Sequence, residues 1–380
     1  TLGNALTVCD FTLTAGGINL NGNNLTVRKS HIRNGGTFTA GAGTTVEFGG
    51  STAQTISGSA NPIQFGSAHF VVNNSSSVTL QQALYFGGNM QISAGTLYAG
   101  AYENRILGNW THTAGSFVSQ GSTIAFEGTT AQTVNELNSF SHFKVNSSSS
   151  VAITSAPVLG TFTLAQGTVT LNNGDFAIPG SFVSTIAFSR IEGAGGYRVI
   201  YGSGSWNISG ITLNAVRLRL DSGSSIGALD SIAFTGQESG QPSIAFNYSN
   251  VGNITLNNNK FDNTVSTNVS ASAVTVGTIT MATASGDRFG VSYEFDPNNL
   301  VKWPSAPATK LQVILPGEFA VQGSTMGKSG SPSTQTALTA FTVTVRAVNP
   351  DFYLDTSSNP TVNIVTSDGG DSEPANAALV

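Results

Sequence analysis

Two stretches of this chain are near copies. "GAGTTVEFGGSTAQTI" runs from Gly41 to Ile56, and "GSTIAFEGTTAQTV" runs from Gly121 to Val134. Phe48 and Phe126, Gln54 and Gln132, and Ile56 and Val134 all share one spacing. Downstream, "SAHFVVNNSSSVTL" (Ser67 to Leu80) is matched by "FSHFKVNSSSSVAI" (Phe140 to Ile153) at a slightly shorter spacing, as a deletion in the linker between them would give. "GGNMQISAGTLYAG" (Gly87 to Gly100) and "GTFTLAQGTVTLNN" (Gly160 to Asn173) resemble each other and "FTLTAGGINLNG" (Phe11 to Gly22). The unit is about 75 residues long, and a fixed period of that kind signals stacked structural units.

Each unit is built from apolar pairs at i, i+2, such as Phe11 and Leu13, Leu25 and Val27, Val46 and Phe48, Phe70 and Val72, and Phe143 and Val145. That rhythm predicts short strands with one buried face. Gly, Asn and Ser lie between them, where the chain turns. The Asn/Ser runs recur at matching places, as stacked polar ladders do. Dipeptides that make two-residue hairpins are scarce. The expected fold is therefore all-β: a parallel β-helix (β-solenoid) over residues 1–305. At about 20 residues per coil it would hold roughly 15 coils, sharing one core because a single coil buries too little to stand alone. "FDPNNLVKWP" (Phe295 to Pro304) is expected to blunt its last edge.

After "PSAPATK" the style changes. "KLQVIL", "TAFTVTVRAV" and "PTVNIVTSD" predict antiparallel strands of an immunoglobulin-like β-sandwich over residues 306–380. About four strands are legible where such a module has about seven. The expectation is an incomplete module, finished by further chain or by a neighbour.

Composition narrows the function classes. Charged residues make up 9% of the chain, with a net charge of -5 and no basic stripe, so nucleic acid is not an expected partner. The 39% hydrophobic content and 22 phenylalanines separate it from disordered polar chains. No apolar run is long enough for a membrane span. Cys9 is the single cysteine, which excludes an internal disulfide framework. Residue 1 is Thr and no secretory leader is visible, as in a mature product or an excerpt of a longer protein.

"GNWTHTAGSF…GSTIAFEGTTAQTV" resembles the repeats of large secreted and surface-anchored bacterial β-helix proteins of the adhesin and filament-forming kind. "ATKLQVILPGEFAVQG…GKSG…QTALTAFTVTVRAV" is similar to bacterial immunoglobulin-like modules. The first resemblance covers about two thirds of the chain. It implies an extracellular or cell-surface structural role, with other copies of the chain or cell-surface components as partners, and it brings no catalytic residues.

The candidates for chemistry are few. Glu47 and Glu127 lie in the repeated phrase but do not align, and are expected to be solvated surface glutamates rather than the carboxyl pair of a glycoside hydrolase. Arg217, Arg219 and Asp221 share the outer face of one strand, where they could grip an acidic sugar or form a surface ion pair. His69 and His142 occupy equivalent outward positions, whereas His31 and His112 have no carboxylate nearby in sequence. Asp351, Asp355, Asp368, Asp371 and Glu373 make the last segment acidic without the spacing of an EF-hand. Trp110, Tyr98, Tyr197 and Tyr201 are the aromatics that a polysaccharide groove would use. The sequence-based expectation is a non-enzymatic fibre, filament or adhesive stalk with no catalytic, cofactor or metal site. The alternative is a carbohydrate-active β-helix enzyme or polysaccharide-binding protein.

Overall fold

A computed structural model describes residues 1–184, 189–221, 225–236, 244–247, 254–257, 269–271, 279–281, 301–302, 308–320, 326–337, 339–350, 352, 354–355, 357–366, 370 and 374–379. Contacts divide the chain into two units, Thr1–Gly227 and Ala228–Val380, and each is described by itself.

The first unit is a parallel β-solenoid with three faces per turn. The first turn consists of Leu6–Val8, Phe11–Leu13 and Gly17–Asn19. The second, Leu25–Val27, Ser30–Arg33 and Thr37–Thr39, pairs with it strand by strand, all parallel. The first face then climbs from Leu25 to Val46, Phe70, Met90, Trp110 and Val134. Period-2 alternation sends one side chain of each pair inward, so equivalent apolar residues meet turn upon turn. Where the partners differ, rings meet diagonally or across the interior: Phe48, opposite Val72, reaches Phe70 at 5.0 Å between ring centroids, and Phe70 meets Phe86 of the third face at 5.5 Å. Higher up, Phe143, Phe162, Phe182 and Trp206 continue the ladder at 5.9, 4.9 and 5.7 Å. Each such buried side chain contributes about 1.5–3 kcal/mol, and the shared column is what holds the short strands.

Turn lengths are uneven. The steps from Leu6 to Leu25 and from Phe70 to Met90 are short. Those from Val46 to Phe70, Trp110 to Val134 and Phe182 to Trp206 are longer, and equal to one another. The solenoid has about 11 turns, against roughly 15 expected. Longer corners consume part of the difference, and much of 237–300 lies outside the described residues.

The repeated phrase turns out to be a corner. In the first copy, the strand Thr45–Gly50 lies on the first face and Gln54–Ser57 on the second. Gln54, the first residue of the second strand, is buried, and its Nε2 donates to Val27 O at 2.7 Å. One turn later Asn74, also buried, donates to Gln54 Oε1 at 2.6 Å. In the second copy, Thr123–Phe126 lies on the third face and Gln132–Asn135 on the first. There Gln132 Nε2 donates to Gly108 O at 2.6 Å, and Ser147 Oγ in the turn above donates to Gly128 O at 2.7 Å. The same device is thus installed at two different corners. Going from Phe48 to Phe126 climbs three full turns, through Val72, Ile92 and His112, and then passes two more faces. The sequence period is not a whole number of turns, so the second copy falls one face short of four turns.

In the second unit, strands remain parallel where Leu229 pairs with Leu256, Ile244 with Val269, Ile254 with Ile279 and Ile279 with Val301. Pairing then switches to antiparallel, in three two-stranded sheets: Lys310–Ile314 with Thr344–Val348, Glu318–Ala320 with Lys328–Gly330, and Thr361–Val362 with Ala377–Ala378. Among the described residues there is no helix, and hence none long and apolar enough to cross a membrane. Of the terminal segment Phe295 to Pro304, only Val301–Lys302 is described.

Candidate functional site

The outer surface of the solenoid carries two clusters of the same make. On the third face Tyr85 and Arg105 occupy paired positions in successive turns. The Arg105 guanidinium sits 5.3 Å from the Tyr85 ring centroid, and Glu127 closes the trio with an ion pair of 2.5 Å. On the second face Tyr201 pairs with Arg219 one turn on. Arg219 lies 4.3 Å from the Tyr201 centroid and forms an ion pair with Asp221 at 3.0 Å. Each arrangement follows from register. The parallel stack sets the tyrosine directly below the arginine; the acid is the i+2 neighbour on the same strand for Arg219, and comes from the following turn, two residues beyond the partner Ala125, for Arg105. Cation–π contact and ion pair then hold the same guanidinium.

The candidates from sequence divide accordingly. Arg219 and Asp221 come together, and Arg217 stands half-exposed on the same strand. Glu47 lies on the outer side of the first face, where Asn73 Nδ2 donates to it at 3.2 Å. Glu127 is not solvated as expected: its side chain is only 8% exposed, because Arg105 covers it. His69 and His142 do face outward. His69 Nδ1 accepts from Asn89 N at 2.9 Å, and His142 Nδ1 lies 2.5 Å from Thr161 Oγ1. Tyr98, Tyr197 and Tyr201 are half-buried. Trp110, which only the alternative polysaccharide reading would place in a groove, is buried in the core, because it occupies an inward position on the first face.

Trp110 leads to a buried cluster that sequence reading missed. Its Nε1 donates to Glu136 Oε2 at 2.6 Å. The other oxygen, Oε1, lies 2.6 Å from His112 Nδ1 and accepts from Asn138 N at 2.7 Å. Trp110, His112 and Glu136 are all buried. A buried carboxylate survives only if its lone pairs are occupied, and here both oxygens are. Distance along the chain hid the pair, since only one of the longer turns brings Glu136 over His112. His31 is buried too, with neither ring nitrogen bonded. It stacks on Phe11 at 4.9 Å and takes the place of an aromatic rung.

In the second unit Asp355 accepts from Ser357 Oγ at 2.5 Å, from Ser358 Oγ, and from Ala308 N and Ser357 N at 2.8 Å. Those bonds, chiefly that of the Ser357 hydroxyl, hold its carboxyl well below the usual range. Asp351, Asp368, Asp371 and Glu373 lie outside the described residues. Among the described residues no group of three or more His, Cys, Asp or Glu could hold a metal ion. No protein-family model, curated protein or solved structure matches the chain.

Proposed function

We propose that the chain is a non-enzymatic structural protein of the extracellular space or cell surface. It would act as a fibre, filament or adhesive stalk assembled from copies of itself. The observation that carries this reading is the solenoid's continuous parallel stack, in which a low-charge, Gly/Asn/Ser-rich sequence is spent on repeated corners and a shared apolar column. Such a design converts residues into length. The three antiparallel pairs after Lys310 belong, on this reading, to an immunoglobulin-like sandwich that a neighbour completes. Negative-stain microscopy of the purified chain across a concentration series should show filaments. Dispersed particles at every concentration would count against assembly.

The two Arg-over-Tyr clusters favour a second reading, polysaccharide binding, since both present a half-exposed ring and charge side by side. On a glycan array, acidic polysaccharides should then be retained by the wild-type chain and lost with the double variant Arg105→Ala/Arg219→Ala. Equal signals from the two proteins would dismiss it.

A further inference from the structure

Three Asn–Gly pairs occur in this chain: Asn21–Gly22, Asn34–Gly35 and Asn173–Gly174. Asparagine is among the chemically labile residues. Its amide carbon lies within reach of the next residue's backbone nitrogen, and a following glycine has no Cβ to shield that nitrogen. The dipeptide is the same in all three places; its surroundings are not.

Asn34–Gly35 is locked into the stack. Asn34 Oδ1 accepts from Ser59 N at 3.1 Å, and Asn34 O accepts from Ser59 Oγ at 3.0 Å. Gly35 N, the atom that would attack, donates to Leu13 O at 3.3 Å, and a Cβ on Gly35 would sit 2.6 Å from Thr14 O. Asn21–Gly22 forms the middle of a closed turn. Asn23 N donates to Leu20 O at 2.9 Å, Asn21 N donates to Asn19 Oδ1 at 2.8 Å, and the two central residues hold φ values of 52° and 80°. Either pair must release bonds before its nitrogen can swing onto its amide.

Asn173–Gly174 lies at the corner between the strands Val158–Leu171 and Phe176–Ala177. Both residues are exposed, and among the described residues neither the Asn173 amide nor Gly174 N has a hydrogen-bond partner. The corner is held on either side of them instead. Asn172 O accepts from Arg198 Nη2 at 2.9 Å, and Asp175 Oδ1 accepts from Val199 N at 2.9 Å. The rotation that brings Gly174 N onto Asn173 Cγ therefore breaks no bond.

We propose that Asn173 is a site of spontaneous deamidation. Gly174 N gives up its proton and attacks Asn173 Cγ. The Cγ–Nδ2 bond breaks, and the amide nitrogen leaves as ammonia, carrying the proton that Gly174 released. The product is a succinimide ring. Water then opens the ring at one of its two carbonyls. Cleavage between Gly174 N and Cγ restores the ordinary backbone and leaves aspartate. Cleavage between Gly174 N and the Asn173 carbonyl carbon leaves isoaspartate, with the main chain routed through Cγ. One water is consumed, one ammonia is released and nothing is oxidised. Either route adds a carboxylate close to Asp175, a slow change of charge at one corner of the solenoid that depends on neither functional reading above.

The full chain, incubated at neutral pH both folded and unfolded in guanidinium chloride, provides the test. Peptide mass mapping follows each pair, and ion exchange follows the whole chain. In the folded chain Asn173 should convert from amide to acid about tenfold faster than Asn34 or Asn21, a difference of about 1.4 kcal/mol in barrier. In the unfolded chain the three rates should converge, because the bonds that protect two of the pairs are gone. Asn173→Gln, whose longer side chain would have to close a larger ring, should lose the acidic species that accumulates in the wild-type chain. Equal rates at Asn34 and Asn173 in the folded chain would overturn the inference. So would rates that stay apart after unfolding, or an acidic species that forms at the wild-type rate in N173Q.

Discussion

Replacing His31 with phenylalanine should remove much of the first unit's acid sensitivity. His31 is buried against Phe11, Phe48 and Phe65, at 4.9, 5.9 and 5.1 Å. Burial first, and the nearby Arg33 charge second, push its imidazole down to about 3. The unfolded chain, with an ordinary histidine near 6.5, takes up the proton first as pH falls. The His31 contribution is therefore harmless above about pH 6.5 and is increasingly destabilising from there down to about 3. By pH 4 this linkage amounts to about 3 kcal/mol. Phenylalanine cannot titrate, fills a similar aromatic rung and removes two unbonded ring nitrogens. Urea unfolding between pH 4 and 8 should give wild-type and H31F curves that agree within about 1 kcal/mol at pH 7 and separate as the pH drops. Curves that remain parallel would show that His31 is not the source.

Gly95→Ala should be among the most damaging single-methyl additions in the solenoid. Gly95 lies one turn beyond Asn74 at the Gln54 corner, with φ +72°. A Cβ there would sit 1.8 Å from Asn74 O and 2.7 Å from Ser76 O, both backbone atoms that the ladder holds in place. Gly167, at the equivalent place above Ser147, would put a Cβ 2.4 Å from Ser147 O at φ +102°. Gly121 supplies the control: its φ is +80°, but the nearest atom to a Cβ is 4.0 Å away. Gly121→Ala should cost only the left-handed backbone penalty, about 1–2 kcal/mol. Gly95→Ala adds a backbone clash and should cost about 4 kcal/mol or more. Thermal and urea melts of the three alanine variants should place Gly121 apart from the other two. A uniform small loss would mean that the corners are not closely stacked.

The two predictions touch the two materials of the fold, an aromatic column and a polar corner. They differ in how far they could be read beforehand. The column was legible from the i, i+2 apolar pairs, because a strand's period of two is a local property. Phe143 with Phe162 and Phe162 with Phe182 follow once the turns are stacked. The corner was legible as recurrence but not as position. Gln54 and Gln132 align in sequence, yet they serve different corners, because the spacing between the copies is not a whole number of turns.

Sequence by itself determined the class of structure: short parallel strands, a shared interior and a change of style near Lys310. Those features depend on side-chain periodicity and turn chemistry, which act over a few residues. Tertiary structure alone decided the burial of Trp110, the meeting of His112 with Glu136, the cover over Glu127 and the stacking of Arg219 on Tyr201. Each of those contacts depends on how much chain a turn consumes, which differs between the step from Leu6 to Leu25 and the step from Trp110 to Val134. A shift of one residue moves a side chain to the opposite side of the sheet, so the partner across a turn is fixed only when the whole stack settles into register.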